Sequence, residues 1–358
     1  MQSSHDVLRI ALVGAGRFGS KRAAAMAKSN RSNLILVADT NLESASALAR
    51  QYGCVATNDW TQATTREDVD AVIVSTPTYH LAEVSLMAVR AGKHVLAEKP
   101  FGRNPEEVFT LVEAARLSGV CLKAGYNHRY HPALRKAYEC FVKGTIGRPL
   151  TAQCFYGHGG RVGYESEWRS RTDLSGGGQL LDQGVHALDL FRWFLGEFEE
   201  VNGMVSTAFW PIAPAEDNVF ATLQAASGAI AQVHASWTYW KNKFSFTLIG
   251  EKGYLCIEGL GGSYGIEKLC IGTREIPGEV PKEQWFEFAG PDDSLALEWE
   301  DFLNSIMKGH EPMSSGEEAL RTLLLVDAIY RAAKERRTIR LETAGLTAAA
   351  GVGQQLGK

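Results

Sequence analysis

The sequence lacks long hydrophobic runs, which bears on where the protein resides. No apolar stretch approaches the roughly 18 residues that a membrane-spanning helix requires. The first apolar run, residues 10–13, is followed at once by glycines, which is typical of a strand entering a loop and not of a secretory signal. We therefore expect a cytoplasmic protein with no membrane partner.

The chain also lacks an excess of charge of either sign. Its 358 residues include 37 Lys and Arg against 41 Asp and Glu, a formal net charge of −4 at pH 7. A mildly acidic chain has no overall attraction for nucleic acid, so we expect no nucleic-acid partner. The apolar fraction of 45% and the charged fraction of 22% exclude a disordered or collagen-like chain and are typical of a globular enzyme of about two or three domains.

Paired cysteines are absent as well. The six cysteines are scattered and form no C-x-x-C motif. In a reducing compartment such cysteines behave as small buried apolar residues, and their spacing supports neither catalysis nor zinc binding. We therefore predict no metal site.

Strand and helix patterns alternate through the first part of the chain. Short apolar runs, including residues 8–13, 34–38 and 71–75, are separated by helical segments of about 10–15 residues. This alternation predicts right-handed βαβ units and hence a parallel sheet covered by helices on both faces. We assign residues 1–125 to a doubly wound Rossmann domain of the α/β class.

The pattern changes after residue 125. Residues 201–288 are rich in strands and in turn signals such as Asn202-Gly203, which indicates antiparallel β-structure. We therefore predict a second, α+β domain over residues 126–341. Residues 342–358 are small and polar without a pattern, and we predict a disordered tail there.

A glycine-rich motif follows the first predicted strand and opens the first predicted helix. It reads Gly14-Ala15-Gly16-Arg17-Phe18-Gly19. In a dinucleotide-binding loop, the first glycine permits the tight turn, the second lets the backbone approach a pyrophosphate, and the third lets helix and strand pack closely. The alternative is a purely structural glycine loop, but the flanking strand and helix favour dinucleotide binding.

An acidic residue at the end of the second strand bears on the choice of cofactor. Asp39 lies 20 residues after the last glycine of the motif, where an acid that binds the ribose hydroxyls is expected. A carboxylate there repels the 2′-phosphate of NADP, and the following Thr40 and Asn41 supply no arginine to bind it, so NAD is favoured over NADP. The alternative role of Asp39 is to cap the next helix.

A lysine follows the fourth predicted strand, in the segment Glu98-Lys99-Pro100. Ligands of an open parallel sheet lie outside the carboxyl ends of its strands, so Lys99 is expected beside the cofactor. There it can exchange a proton with a substrate hydroxyl. The alternative is a solvated lysine at the start of a loop.

A glycine-rich turn leads into a helix that carries two further polar residues. Asp182 and His186 are four residues apart, so one face of a regular helix presents both. Such a pair predicts a proton relay in which Asp182 orients His186 and stabilises its charged form. The alternatives are a simple salt bridge or two ligands of a metal ion, for which the sequence offers no further ligands.

Taken together, these motifs resemble the glucose–fructose oxidoreductase / inositol dehydrogenase / rhizopine-catabolism (Gfo/Idh/MocA) family over residues 8–340. The resemblance implies a Rossmann domain and a C-terminal domain whose large open sheet covers the substrate site and often builds dimers or tetramers. It implies a catalytic role for Lys99, Asp182 and His186. It also places a loop near the nicotinamide, formed by Ser75, Thr76, Pro77 and His80. We assign this loop, together with Glu98, to cofactor binding.

Other polar and aromatic residues are candidates for the substrate pocket. The second domain begins with Tyr126, Asn127 and Arg129, and Trp168-Arg169 resembles the substrate-contacting pair of the family. A tryptophan can stack on a sugar ring, and an arginine can bind hydroxyls or an anionic group. His158 and Arg161 are candidates for anion contacts. A structural role is the alternative for each.

These observations predict an NAD-dependent dehydrogenase that acts on a secondary alcohol of a sugar, a cyclitol or a nucleotide sugar. Either His186 or Lys99 takes the hydroxyl proton, and the sequence leaves the choice open. Two other functions remain open: a glycoside hydrolase that uses NAD transiently, and a non-catalytic nucleotide sensor. The resemblance also implies a homodimer or homotetramer formed through the C-terminal sheet.

Overall fold

The first part of the chain forms a six-stranded sheet with helices on both sides. The computed structural model describes residues 7–274, 276 and 278–341, so the predicted tail at 342–358 lies outside the described residues. The strands are β1 (Leu8–Val13), β2 (Ser32–Ala38), β3 (Val55–Thr57), β4 (Ala71–Val74), β5 (His94–Glu98) and β6 (Leu122–Gly125). The helices are α1 (Arg17–Met26), α2 (Leu42–Tyr52), α3 (Thr61–Thr65), α4 (Thr78–Arg90) and α5 (Pro105–Ser118).

All neighbouring strands of this sheet are parallel, in the order β3-β2-β1-β4-β5-β6. The prediction of a doubly wound parallel sheet is confirmed. The strand order reverses between β1 and β4, and the crevice outside the carboxyl ends of strands at such a point is where ligands of open α/β sheets bind.

The second part of the chain forms a larger sheet backed by helices. Its strands are β7 (Pro149–Gly157), β8 (Phe198–Ser206), β9 (Asn218–Ala225), β10 (Ile230–Ser236), β11 (Lys243–Gly250), β12 (Gly253–Glu258), β13 (Glu267–Thr273), β14 (Lys282–Phe288) and β15 (Ile339–Arg340). The helices are α6 (Pro132–Val142), α7 (Thr172–Ser175), α8 (Val185–Leu195), α9 (Ser294–Lys308) and α10 (Gly316–Glu335).

The strand order of this sheet is β14-β13-β12-β11-β7-β10-β9-β8-β15, and only β7 and β10 pair in parallel among its described strands. The prediction of a large, mostly antiparallel sheet is therefore confirmed. Side chains alternate between a buried face, packed against the helices, and an outer face that carries exposed apolar residues. Examples on the outer face are Met204, Phe220, Ile230, Ile249 and Trp285.

One helix from the end of the chain returns to the first domain. Trp299, Phe302 and Leu303 of α9 are buried in the same hydrophobic cluster as Leu12 and Leu96 of the parallel sheet. The two sheets are thus joined by packing as well as by the chain. Within the part of the chain that the structure describes, no helix has the length and apolar character needed to cross a bilayer.

Candidate active site

The glycine loop between β1 and α1 has the geometry of a phosphate-binding turn. Gly14 has φ of +98°, and a Cβ there would lie 2.5 Å from the carbonyl oxygen of Ser75. A Cβ on Gly19 would lie 1.9 Å from the carbonyl oxygen of Gly14. Gly16 differs, because a Cβ on it would meet nothing within 4 Å. The loop is therefore closed on the protein side and open in front of the N-terminus of α1, where an anionic group is favoured.

Asp39 is tied to this loop. Its carboxylate accepts hydrogen bonds from the main-chain N–H groups of Ala15, at 2.7 Å, and Asn41, at 2.9 Å. The cap of α2 is the side chain of Asn41, which accepts from the N–H groups of Glu43 and Ser44. The alternative that Asp39 caps this helix is therefore wrong. The neighbouring Arg17, Phe18 and Thr40 are exposed along the loop.

The residues after β4 complete the fit to a dinucleotide. The hydroxyl oxygens of Ser75 and Thr76 are buried and have no hydrogen-bond partner among the described residues. Pro77 follows them, and His80 lies one turn into α4 with Nδ1 3.0 Å from the carboxylate of Glu83. Buried polar atoms normally have a partner, so two unpartnered hydroxyls beside an open glycine loop fit a polar cofactor.

Lys99, after β5, joins the cofactor side to the second domain. Its ammonium lies 3.2 Å from Oδ1 of Asp182 and also donates to the main-chain carbonyl of that residue. Burial alone would raise the pKa of Asp182, but the charges of Lys99 and Arg169 outweigh burial and hold that pKa below its ordinary value. Asp182 is therefore an ionised partner that holds Lys99 in place.

His186 is not bonded to Asp182, so the predicted relay between these two residues is wrong. Residues Leu180–Gly184 form a π-helical turn ahead of α8. The i→i+5 hydrogen bonds of such a turn change the direction of the side chains that a regular helix would align. No hydrogen bond links His186 to another described residue, and its Nδ1 is buried without a partner.

The imidazole of His186 lies among other rings. The ring of His128 stacks on it with centroids 3.8 Å apart and an angle of 18°, and Tyr126 meets it edge-on at 5.9 Å. Burial first, and then His128 and the Lys99 ammonium, hold the pKa of His186 well below its ordinary value. His186 is therefore neutral near pH 7 and can accept a proton.

The predicted substrate segment forms a cluster around Glu167. The guanidinium of Arg161 binds Glu167 through two nitrogens at 2.7 and 2.6 Å, and Arg169 reaches the same carboxylate at 3.3 Å. Arg169 also lies over the ring of Trp168, at 4.5 Å from its centroid. Trp168 meets Tyr79 of α4 edge-on, with ring centroids 6.3 Å apart. Trp168 and Arg169 therefore lie near the start of α4, beside the proposed cofactor crevice.

His158 lies beside this cluster at the end of β7. Its Nδ1 accepts the N–H of Gly160, so the neutral ring carries its proton on Nε2. Burial lowers the pKa of His158, and the nearby arginines add to that effect. His158 is therefore a neutral donor and not an anion-binding cation.

Three predicted site residues serve the fold instead of facing the crevice. Arg129 is 2% exposed, and its guanidinium is bound by Asp189, Glu318 and the carbonyl of Met313. Tyr126 is fully buried behind His186, and Asn127 donates to Ser294 Oγ at 2.9 Å. The prediction that Arg129 binds substrate is thus corrected, because its donors are already used.

Glu98 is likewise held away from the crevice. It is 7% exposed and accepts a hydrogen bond from Nε of Arg22 at 2.5 Å. Arg22 also binds Glu298 of α9, so one buried guanidinium bridges a carboxylate of β5 and a carboxylate of α9. The prediction that Glu98 contacts the cofactor is corrected, and Arg22 is a residue that the sequence analysis missed.

The sequence analysis also missed the anchor of the helix that carries Asp182. The buried carboxylate of Glu216 accepts the N–H groups of Gly178 and Leu180 and the hydroxyl of Tyr330, at 2.8–3.0 Å. A Cβ on Gly178 would lie 2.2 Å from the carbonyl oxygen of Glu216. Glycine is therefore required at this position for protein packing.

Two regions of the sequence match models of a known protein family. Residues 8–126 match the family described as an oxidoreductase family with an NAD-binding Rossmann fold. Residues 134–256 match the Gfo/Idh/MocA C-terminal domain. The two matches together span more than half of the chain.

Similar proteins of known activity cover most of the chain. Inositol 2-dehydrogenase of Rhizobium meliloti is 31% identical over 343 residues, which is 93% of this chain and 99% of that protein. D-glucoside 3-dehydrogenase of Escherichia coli is 31% identical over 359 residues, which is 93% of this chain and 97% of that protein.

Solved structures show the same architecture. Levoglucosan dehydrogenase in complex with NADH and L-sorbose superposes with a TM-score of 0.86, covering 94% of this chain and 99% of that one. At 23% identity this likeness shows the fold alone. On the family matches and the 31% identity to a full-length relative, the chain belongs to the Gfo/Idh/MocA family of NAD-binding oxidoreductases.

Proposed function

We propose that this oxidoreductase transfers a hydride between NAD and a secondary hydroxyl group of a sugar or cyclitol, with Lys99 and His186 as its catalytic residues. The observation that carries the proposal is the contact between Lys99 and Asp182. This contact holds an ammonium from the cofactor edge of the parallel sheet against the helix that bears His186.

The two catalytic residues have separate tasks. NAD supplies the hydride acceptor when it is bound. Lys99 donates a hydrogen bond to the reacting oxygen, and its positive charge stabilises the negative charge that develops there. His186 is neutral and makes no hydrogen bond to the described residues, so it accepts the hydroxyl proton. In the reverse direction His186 returns the proton, and Lys99 again donates a hydrogen bond to the reacting oxygen.

Asp182 is a positioning residue in this account. Its carboxylate and its main-chain carbonyl both hold the Lys99 ammonium. In this proposal Trp168 offers an aromatic ring for stacking on the substrate, and Arg169 offers donors for its hydroxyl groups. The similar proteins named above act on inositol and on D-glucoside, which supports a polyhydroxylated ring as the substrate.

The experiment is a screen of sugars, cyclitols and nucleotide sugars with NAD and NADP, followed by the absorbance of the reduced cofactor. The proposal expects at least one cyclic polyol to reduce NAD in the presence of the wild-type protein. It fails if the protein binds NADH but no compound of these classes supports turnover in either direction.

We also propose that copies of the chain associate through the outer face of the second sheet. Support comes from its exposed apolar side chains, with Met204 74% and Trp285 57% exposed. Exposed apolar side chains that share one face of a sheet favour protein–protein contact. Light scattering after size exclusion measures the mass in solution, and replacing Phe220 with Glu is expected to shift it toward a monomer.

A further inference from the structure

Three of the nine histidines form one buried cluster, and the proposed function uses only one of them. His128 stacks on His186, as described above, and its other edge meets His131 with ring centroids 5.4 Å apart. Nδ1 of His131 lies 2.6 Å from the carboxylate of Glu267. His128 therefore occupies the middle of the cluster, between the proposed proton acceptor and a histidine that contacts Glu267.

The hydrogen bonds of His128 are satisfied by a neutral ring. The amide nitrogen of Asn127 donates to Ser294, so the amide oxygen faces Nδ1 of His128 at 3.2 Å and accepts its N–H. The second ring nitrogen, Nε2, then has a lone pair for the hydroxyl of Tyr156 at 3.0 Å. Both nitrogens are thus satisfied without a positive charge.

The remaining groups around His186 do not offer it an anion. The nearby cations are Lys99 and Arg22, a third histidine is His131, and the neighbouring tyrosines are Tyr126 and Tyr156. Each nearby carboxylate already has a basic partner: Asp182 binds Lys99, Asp189 binds Arg129, and Glu267 binds His131. Because no free carboxylate among the described residues orients the imidazole of His186, its plane is set by the stacked ring of His128, which is nearer to it than the rings of Tyr126 and Tyr156.

We propose that His128 is a positioning residue for His186, whose neutral stacked ring holds the imidazole in its plane and keeps it unprotonated in the resting enzyme. This inference rests on the proposed function in one respect, because it assumes that His186 is the proton acceptor. The stacked ring of His128 shields one face of the imidazole from water, and removal from water disfavours the charged form of a histidine. Burial, together with His131 and Lys99, also holds the pKa of His128 well below its ordinary value.

The test is a titration of the histidine ring signals by NMR, on protein labelled at histidine and without substrate. The His186 signal is assigned by its loss in His186→Gln. In the wild-type protein it is expected to stay neutral from about pH 8 down to about pH 5.5, below the usual histidine midpoint. In His128→Ala, which removes the stacked ring and admits water, the midpoint is expected to rise by about one pH unit or more, a tenfold change in proton affinity.

Two variants separate positioning from general damage. His128→Phe keeps a flat ring against His186 and is expected to keep its midpoint low. Exposed His310→Ala is the control and is expected to change nothing at His186. An unchanged midpoint in His128→Ala, or a wild-type His186 that titrates in the usual range, overturns the proposal.

If His128→Ala does not fold, His128→Asn carries the same test, because it keeps a polar side chain but removes the stacked ring. A rise of the His186 midpoint is expected, and no rise overturns the proposal. The titration is independent of turnover, so its failure is distinct from that of the proposed function, which fails when no polyol reduces NAD.

Discussion

The ammonium of Lys99 lies 3.2 Å from the carboxylate of Asp182 and donates to the main-chain carbonyl of the same residue. This double contact links the end of β5 to the helix that carries His186. Lys99 is thus held by the second domain while it projects from the first. The position of Lys99 beside the substrate depends on this junction.

Replacing Asp39 is expected to weaken NAD binding more than NADP binding. Asp39→Ala removes the carboxylate proposed to bind the ribose hydroxyls, so the dissociation constant for NAD is expected to rise about 10- to 100-fold. The dissociation constant for NADP is expected to stay unchanged or to fall, because the charge that repels its 2′-phosphate is removed. Fluorescence titration measures both constants.

The conservative variant Asp39→Asn keeps an acceptor for the Ala15 N–H and is expected to give an intermediate preference. An unchanged ratio of the two constants in Asp39→Ala would contradict the ribose assignment.

Two glycines of the loop are expected to respond differently to a methyl group. Gly16→Ala meets no protein atom within 4 Å, so the variant is expected to fold with wild-type stability and to bind NADH at least about tenfold more weakly. Gly19→Ala would place Cβ 1.9 Å from a carbonyl oxygen and is expected to lower the melting temperature. Tight NADH binding by Gly16→Ala would show that the pyrophosphate does not approach this position.

Removing the buried guanidinium of Arg22 is expected to cost more than removing one at the surface. Arg22→Met leaves Glu98 and Glu298 buried without their shared cation, for a loss of about 3–5 kcal/mol in the free energy of unfolding. Arg31→Ala breaks a partly exposed pair with Glu300 and is the control, with an expected loss below about 1 kcal/mol. Urea denaturation measures both losses. Equal losses would contradict a stabilising bridge from Arg22 to Glu98 and Glu298.

Acid is expected to destabilise the fold through its buried neutral histidines. The pKa values of His128, His158 and His186 are lowered in the folded protein, chiefly by burial. The unfolded chain takes up these protons first as pH falls through about 6.5, so the free energy of unfolding falls by up to about 1.4 kcal/mol per pH unit for each such histidine.

Urea denaturation of the wild-type protein and of His128→Phe checks this dependence. Between about pH 6.5 and about pH 5.5, the free energy of unfolding of the variant is expected to fall less steeply with pH than that of the wild type, by the contribution of one histidine. An equal slope would show that His128 is already protonated in the fold.

Local patterns predicted much of the fold and the residues of the glycine loop. Strand alternation, the spacing of Gly14, Gly16 and Gly19, and the strand before Lys99 are all short-range features, and the chain forms them where the pattern indicates. Contacts between distant residues carry no such pattern. Arg129 lies 60 positions from Asp189 and Arg22 lies 276 from Glu298, so the sequence alone gave no sign that these arginines were already paired.

The prediction of a relay between Asp182 and His186 is wrong for a different reason. Spacing by four residues implies a shared face only in a regular α-helix, and the π-helical turn at Leu180–Gly184 breaks that rule. The stacking of His128 on His186 depends on the docking of two segments that lie far apart in the sequence, which no local pattern reports.

The most direct measurement is the rate at which Lys99→Ala reduces NAD with the best substrate from the screen, together with its affinity for NADH. Turnover is expected to fall about 10²- to 10⁴-fold with NADH binding largely intact, while exposed Lys143→Ala is expected to behave as wild type. Wild-type turnover by Lys99→Ala would contradict the central claim that this ammonium acts on the substrate oxygen.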